Sequence, residues 1–340
     1  MRKIIIPHRS KHHAINSGYA KLLDYISDVE VLSLESGIPY RFAKAISDLH
    51  AQEAGLYDSN SFLKDWNLYR MLRKNNEKYT VVHYLNAERD VRHTVKRNAG
   101  NTAIKACATF HKPPDTLQNR ISKKTYLKSL DGAIAVGVNQ VGFIKEWLGL
   151  DKVTYIPHGV ETEFFIPADN MANNPRFLFV GQHLRDFNYL NKAIPILASK
   201  IADLQFDCIV HPDYAGKIHH HKAVNIHSNL DDLQLRSFYQ KATLLFLPLL
   251  NSTACNSLLE ALSCGLPIIT TDVGGNREYL AKTRNFLAKA EEKDAMIETA
   301  VEWSKNEELL QKISKQNRKA SKQYSWSNIA DRIEEFYNTL

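Results

Sequence analysis

A chain of 340 residues with 44% apolar and 24% charged residues has the composition of an ordinary folded protein and the length for two domains rather than one. No run of about 18 apolar residues occurs, which argues against a membrane-spanning helix. Net charge is +7 but unevenly placed: residues 1–160 hold 24 basic against 15 acidic residues, a balance of +9, and residues 161–340 hold 20 against 22, a balance of −2.

The opening Met1-Arg2-Lys3-Ile4-Ile5-Ile6-Pro7 has too few aliphatic residues for a leader core and reads as a first buried strand, Ile4–Ile6. Further strands are expected at Val29–Ser33, Tyr79–His83, Lys105–Phe110, Ala133–Val136 and Val153–Ile156. Helical patterns at Gly18–Ser27, Ser61–Asn76 and Asn139–Trp147 lie between them. The proline-bearing stretch Pro157–Pro175 reads as an interdomain connection. The pattern then restarts, with strands at Arg176–Val180, Phe206–Val210, Val224–Ile226, Thr243–Leu247 and Pro267–Thr271. Helices at Leu190–Ser199, Asp232–Lys241 and Ser257–Ser263 separate these, and the tail from Glu291 is helical, with a last amphipathic segment near Ser327–Tyr337. Alternating strands and helices in two series predict an α/β protein of two doubly wound, Rossmann-like domains facing across a cleft. The expected limits are 1–160, 161–322 and a final helix, 323–340, crossing back to the first domain. Cys107, Cys208, Cys255 and Cys264 have neither C-x-x-C nor metal-ligand spacing and read as reduced thiols of a cytoplasmic protein.

The most informative stretch runs from Asn251 to Glu278. Polar residues lead into a short helix, Gly265-Leu266-Pro267 stops it, and a strand follows that ends before Gly274-Gly275. The first-turn N–H groups of that helix, from Asn256, Ser257 and Leu258, suit a diphosphate. Glu260, one turn in, suits the diol of a ribose. The same residues, Ser257-x-x-Glu260, also spell a capping box that touches no ligand, and both readings stand on sequence alone.

This stretch resembles the retaining glycosyltransferases of family 4, the group 1 glycosyl transferases, whose fold is GT-B. Glu260-Ala261, Gly265-Leu266-Pro267, Gly274-Gly275 and Glu278 match the family signature in order and spacing. Ile156–Phe165, Phe177–Gly181, Leu230–Pro248 and Tyr324-Ser325-Trp326 are similar to its other landmarks. The resemblance implies a transferase, hexosyltransferase in type, that moves a sugar from a nucleotide-diphosphate donor to a hydroxyl of a glycan, lipid-linked or small-molecule acceptor. It assigns donor binding to Gly18, Gly181, His183, Asn256, Ser257, Leu258 and Glu260. It also places an active-site imidazole at His111, at the end of a first-domain strand. Where the family has a sugar-facing Glu, this chain has Ser252. Where the family has an Arg and a Lys on the diphosphate, it has Gln182 and Phe187, which makes Arg185 the nearest permanent cation and a candidate catalytic residue. No Asp-x-Asp occurs, and neither a metal nor another cofactor is expected. The departures keep open a second function, a silent or altered GT-B protein that binds a nucleotide sugar or polysaccharide. The basic first half is expected to meet an anionic acceptor or membrane inner face, through Lys96-Arg97 and Lys123-Lys124. Nucleic acid is not an expected partner.

Overall fold

The computed structural model describes residues 1–8, 16–32, 38–50, 58–74, 79–169 and 175–340. Contacts divide the chain into two units. The first comprises the N-terminal residues through Pro157, apart from a segment ending at Gly18, together with Ile329–Leu340; the second comprises that segment and His158–Asn328.

In the first unit, strands β1 (Arg2–Ile6), β2 (Val29–Val31), β3 (Thr80–Tyr84), β4 (Ile104–Phe110), β5 (Gly132–Ala135) and β6 (Val153–Tyr155) form one sheet in the order β2-β1-β3-β4-β5-β6. All pairings are parallel. The inner strands β3 and β5 are buried at every position, as expected of a parallel sheet covered on both faces. Helices α1 (Tyr40–His50), α2 (Ser59–Lys74), α3 (Ala87–Asp90), α4 (His93–Arg97), α5 (Pro114–Arg120) and α6 (Val138–Leu148) connect them.

The second unit repeats the plan with β7 (Arg176–Val180), β8 (Gln205–Ile209), β9 (Val224–His227), β10 (Leu244–Leu247), β11 (Ile268–Thr271) and β12 (Phe286–Ala288), in the order β12-β11-β10-β7-β8-β9. Its helices are α7 (Phe187–Lys200), α8 (Pro212–Ala215), α9 (Asp232–Lys241), α10 (Asn256–Ser263), α11 (Asn276–Leu280), α12 (Ala295–Trp303) and α13 (Glu307–Ser321). The chain passes from β7 outward to β8 and later returns to β10 on the other side of β7. That reversal creates a crevice beside the carboxyl end of β7, where open α/β sheets bind ligands. One guanidinium of α13, Arg318, donates to the carbonyls of Thr162, Phe165 and Ser263 and so fixes the passage that enters this unit.

The last helix, α14 (Trp326–Thr339), starts in the second unit, and its residues from Ile329 pack with the first. Glu334 pairs with Lys3 of β1 at 2.6 Å, and the Tyr337 hydroxyl meets His83 of β3 at 2.7 Å.

Element limits differ from the sequence reading for local reasons. The helix expected at Gly18–Ser27 is only a 3-10 turn over Tyr19–Asp24, preceded by Gly18 with φ of 105°. The helix expected from Leu190 begins at Phe187, because the Asp186 carboxylate accepts the Tyr189 N–H at 3.0 Å and caps it. Helices α1, α3, α4, α5, α8 and α11 and strand β12 were not anticipated. Ser33, Asn75-Asn76 and residues 170–174 of the anticipated elements lie outside the described residues.

Candidate functional site

The site of the second unit is built on β7. Beyond Val180 the chain turns through Gly181, with φ of 90°. That backbone favours glycine, and a Cβ there would fall 2.7 Å from the Arg185 guanidinium and push it aside. Leu184 then adopts φ of 57°, the left-handed region that non-glycine residues rarely enter. Two backbone bonds hold this turn, from Leu250 N to Leu184 O at 2.9 Å and from Asp186 N to Pro248 O at 3.0 Å. The turn sends Arg185 back over Gly181. Its Nε donates to Val180 O at 2.9 Å, Nη1 to His183 O at 2.9 Å, and Nη2 to Ser257 Oγ at 3.0 Å. Asp186 does not pair with Arg185; it caps α7 and is paired with Lys293. The cation therefore sits among neutral oxygens at a strand end, available to an incoming anion.

Helix α10 completes this side. Cys255 is its N-cap, with no side-chain cap bond, and the capping box read at Ser257-x-x-Glu260 is not formed. The Ser257 hydroxyl instead donates to Val180 O at 3.3 Å and accepts from Arg185. Of the three amides expected to face a phosphate, that of Leu258 bonds Cys255 O at 3.0 Å within the first turn. This corrects the sequence reading: Asn256 and Ser257 carry the two N–H groups that precede any helical partner.

Glu260 is 4% exposed. Its Oε1 accepts the Ser17 hydroxyl at 2.6 Å and its Oε2 accepts the Tyr239 hydroxyl at 2.7 Å. Burial pushes its pKa up, the two hydroxyls counter that, Asp232 adds to it, and Arg185 opposes it. The segment carrying Ser17 and Gly18 was expected in a first-domain loop. Its contacts place it with the second unit, where the Asn16 main-chain and side-chain N–H groups both donate to Asp232 Oδ2 at 2.7 Å.

Ser252 is buried at 5% exposure. Gly274, with φ of 56°, approaches it so closely that a Cβ would fall 1.7 Å from Ser252 O. Phe187, in the family's lysine position, is a core residue stacked on Tyr214 at 6.2 Å, with Lys217 above the Tyr214 ring at 4.8 Å. His183 is exposed, and its carbonyl serves Arg185.

In the first unit His111 follows β4. Its Nε2 lies 2.7 Å from Leu85 O, and its ring meets the edge of Tyr19 at 4.8 Å. Glu88 Oε1 accepts the main-chain N–H groups of His111 and Lys112 at 2.6 and 2.7 Å, while its Oε2 is buried without a partner. Burial raises the Glu88 pKa. Behind this lies His83, joined to Tyr337 and Thr109 and pushed down to about 3 by its burial. Of the basic residues expected at a membrane, Arg97 lies 4.9 Å above the Tyr69 ring and Lys124 5.7 Å from that of Trp147. All four cysteines are free and buried. Among the described residues no cluster could hold a metal ion, and no helix is long and apolar enough to cross a membrane.

Sequence reasoning thus named Arg185 and Ser257, which a hydrogen bond joins, together with Gly181, over which the guanidinium lies, and Glu260, which feels its charge. It missed Tyr239, whose only sequence signal is a phenol on the buried face of α9, and Glu88, which lies 23 residues before His111.

These two units, each a parallel sheet with its crevice at a strand reversal, define a two-domain α/β protein of the GT-B type. The model of the family described as Glycosyl transferases group 1 matches residues 174–306, within the second unit. The chain is 25% identical over 205 residues, 57% of this chain and 42% of the other, to a component of the human phosphatidylinositol N-acetylglucosaminyltransferase. It is 25% identical over 224 residues, 62% of this chain and 59% of the other, to the phosphatidyl-myo-inositol mannosyltransferase of Mycobacterium leprae. The chain spans about half the length of these curated relatives. The crystal structure of sucrose-phosphate synthase from Thermosynechococcus elongatus covers 100% of this chain and 99% of its own at a TM-score of 0.71 and 14% identity, a likeness of fold.

Proposed function

We propose that the protein transfers a sugar from a nucleotide-diphosphate sugar to an acceptor hydroxyl, with retention of the anomeric configuration. The observation that carries this reading is the buried Glu260 carboxylate, fixed by two hydroxyls in a helix whose first turn meets the Arg185 guanidinium. Glu260 binds the donor ribose. The amides of Asn256 and Ser257, with Arg185, take the diphosphate and stabilise it as it leaves, without a metal. Gly181 and Gly18 let backbone approach the donor, and Ser252 lies toward its sugar. His111 holds the sugar or the leaving group, its imidazole oriented by Leu85 O. The acceptor hydroxyl attacks from the face the diphosphate leaves, so no protein nucleophile is involved.

Among acceptor classes we favour a lipid-linked one. Two relatives are named as acting on phosphatidylinositol lipids, and the first 160 residues carry a balance of +9, which suits an anionic surface at the inner face of a membrane. Binding without transfer is the second reading, favoured by Ser252 and the buried Phe187 in place of charged family residues. The test is incubation of purified protein with UDP-, GDP- and ADP-sugars and phosphatidylinositol vesicles. A new glycolipid whose early NMR spectrum keeps the donor's anomer is the expected result. Inversion refutes retention, and donor binding with neither transfer nor hydrolysis supports the second reading.

A further inference from the structure

Glu260 acts through a carboxylate plane, and that plane needs an anchor. Rotation about the bond that carries a carboxylate is soft, so a buried carboxylate presents its lone pairs in one direction only if a fixed donor holds it. Tyr239 has the means. It lies on α9 and is 1% exposed, and its ring packs edge-on against the fully buried Phe165 at 6.0 Å. Its hydroxyl donates to Glu260 Oε2 at 2.7 Å.

We propose that Tyr239 is a positioning residue for donor recognition, its phenol setting the plane of the Glu260 carboxylate and keeping that carboxylate an acceptor for the hydroxyls of a nucleotide's ribose. This rests on the reading of Glu260 as the ribose-binding residue. An ionised carboxylate offers about four acceptor positions. Tyr239 takes one on Oε2 and Ser17 takes one on Oε1. One position is left on each oxygen, which is what the two adjacent hydroxyls of a ribose require.

The charges around the carboxylate give the phenol a second task. Glu260 faces Tyr239 and Asp232 from α9, Ser17 from the N-terminal segment, and Arg185 from the turn after β7; Cys264, on its own helix, also feels its charge. Burial and Asp232 favour the protonated acid, while Ser17, Tyr239 and Arg185 favour the anion. A protonated Glu260 would donate on one oxygen and lose its match to two hydroxyl donors. Tyr239 itself stays a donor, since burial and the adjacent Glu260 hold its proton far above the ordinary phenol range. Removing the phenol therefore raises the Glu260 pKa further. Donor affinity is then lost as pH falls through that raised value and recovered as pH rises above it.

The experiment compares wild type, Tyr239→Phe, Glu260→Gln and the double variant. Calorimetric titration uses the tightest binder among UDP-glucose, GDP-mannose and ADP-glucose, whose diesterified diphosphates do not titrate in the range used. For Tyr239→Phe, affinity should be about tenfold lower than wild type near pH 6, with the gap shrinking to about threefold or less near pH 8.5. On the Glu260→Gln background, which has no carboxylate to titrate, the same change should add no pH-dependent loss. Equal loss at both pH values, or no loss at either, overturns the positioning role. A Glu260→Gln variant that binds as wild type, or a wild type that binds none of the three, overturns the donor reading instead. Should Tyr239→Phe fail to fold, 3-fluorotyrosine at position 239, a stronger donor of the same shape, should tighten binding near pH 6, and unchanged binding there refutes the proposal.

Discussion

The two units share one architecture but differ in how the charged groups of their candidate sites are bonded. Around the second unit's site both oxygens of Glu260 and all three donating nitrogens of Arg185 have partners. At the end of β3 in the first unit, Tyr84 Oη, Asn86 Oδ1, Glu88 Oε2 and Arg89 Nε are buried with none. An unpartnered buried polar atom costs about 1–3 kcal/mol, a penalty that the second unit carries at Arg236 Nε, Thr253 Oγ1, Asn276 Oδ1 and Gln316 Oε1 but not at Glu260 or Arg185. The family match also falls on the second unit.

The comparison breaks most readily at Gly274. Gly274→Ala forces a Cβ against Ser252 O in a left-handed backbone, and we expect a loss of about 3 kcal/mol or more in denaturant unfolding. A loss below about 1 kcal/mol would mean that the donor-side loop is less tightly set than described. Arg185→Ala should lower kcat/KM about 10- to 150-fold, the value of a charge-assisted bond to a buried phosphate. It should cost only about 1 kcal/mol of stability, because its own partners are neutral oxygens. Turnover equal to wild type would move the phosphate role to another residue, with His183→Ala the next variant.

In the first unit His83 gives a pH signature. Its folded pKa, about 3, lies below the ordinary histidine value of 6.5, so the unfolded chain binds the extra proton. Stability from this group is complete above about pH 6.5 and falls as pH drops toward 3, by about 1.4 kcal/mol per unit. Asp65, raised by burial to about 6, works in the opposite direction between that value and its ordinary range. His83→Gln removes only the first contribution. Unfolding at pH 7 and pH 5 should show the variant losing about 2 kcal/mol less than wild type. Equal losses would mean that His83 is not buried as a neutral ring. The smallest effect is expected at Gly142, inside α6 with open space at its missing Cβ. Gly142→Ala should raise stability by about 0.5–1 kcal/mol, a change of opposite sign to the one at Gly274.

Much of this was legible in the sequence where one physical signal dominated. The strands Arg176–Val180 and Ile268–Thr271 are aliphatic runs bounded by turn residues, and they form within a residue or so of expectation. Glu260 and Gly274 were readable because spacing along one helix and one turn is a local property. Short helices such as Ala87–Asp90 and His93–Arg97 carry too few periods to be recognised. Tyr239 and Ser17 were invisible as partners of Glu260, since they lie 21 and 243 residues away. The capping box at Ser257 was likewise decided against by tertiary contact, with Arg185 reaching its hydroxyl from the turn after β7.

The return of α14 bears on how the molecule is made. Residues 329–340 pack into the first unit, with Glu334 on Lys3 and Tyr337 on His83. On a ribosome, chains begin to fold from the end that emerges first. Here the unit begun first is finished late, because the helix that closes it is synthesised after every strand of both sheets. Until α14 emerges, the His83 imidazole faces an open site, and the nascent first unit exposes the apolar surface that α14 will cover. Truncations within α14 should therefore act on the yield of folded protein through the amino-terminal unit, whose strands lie farthest from them in sequence.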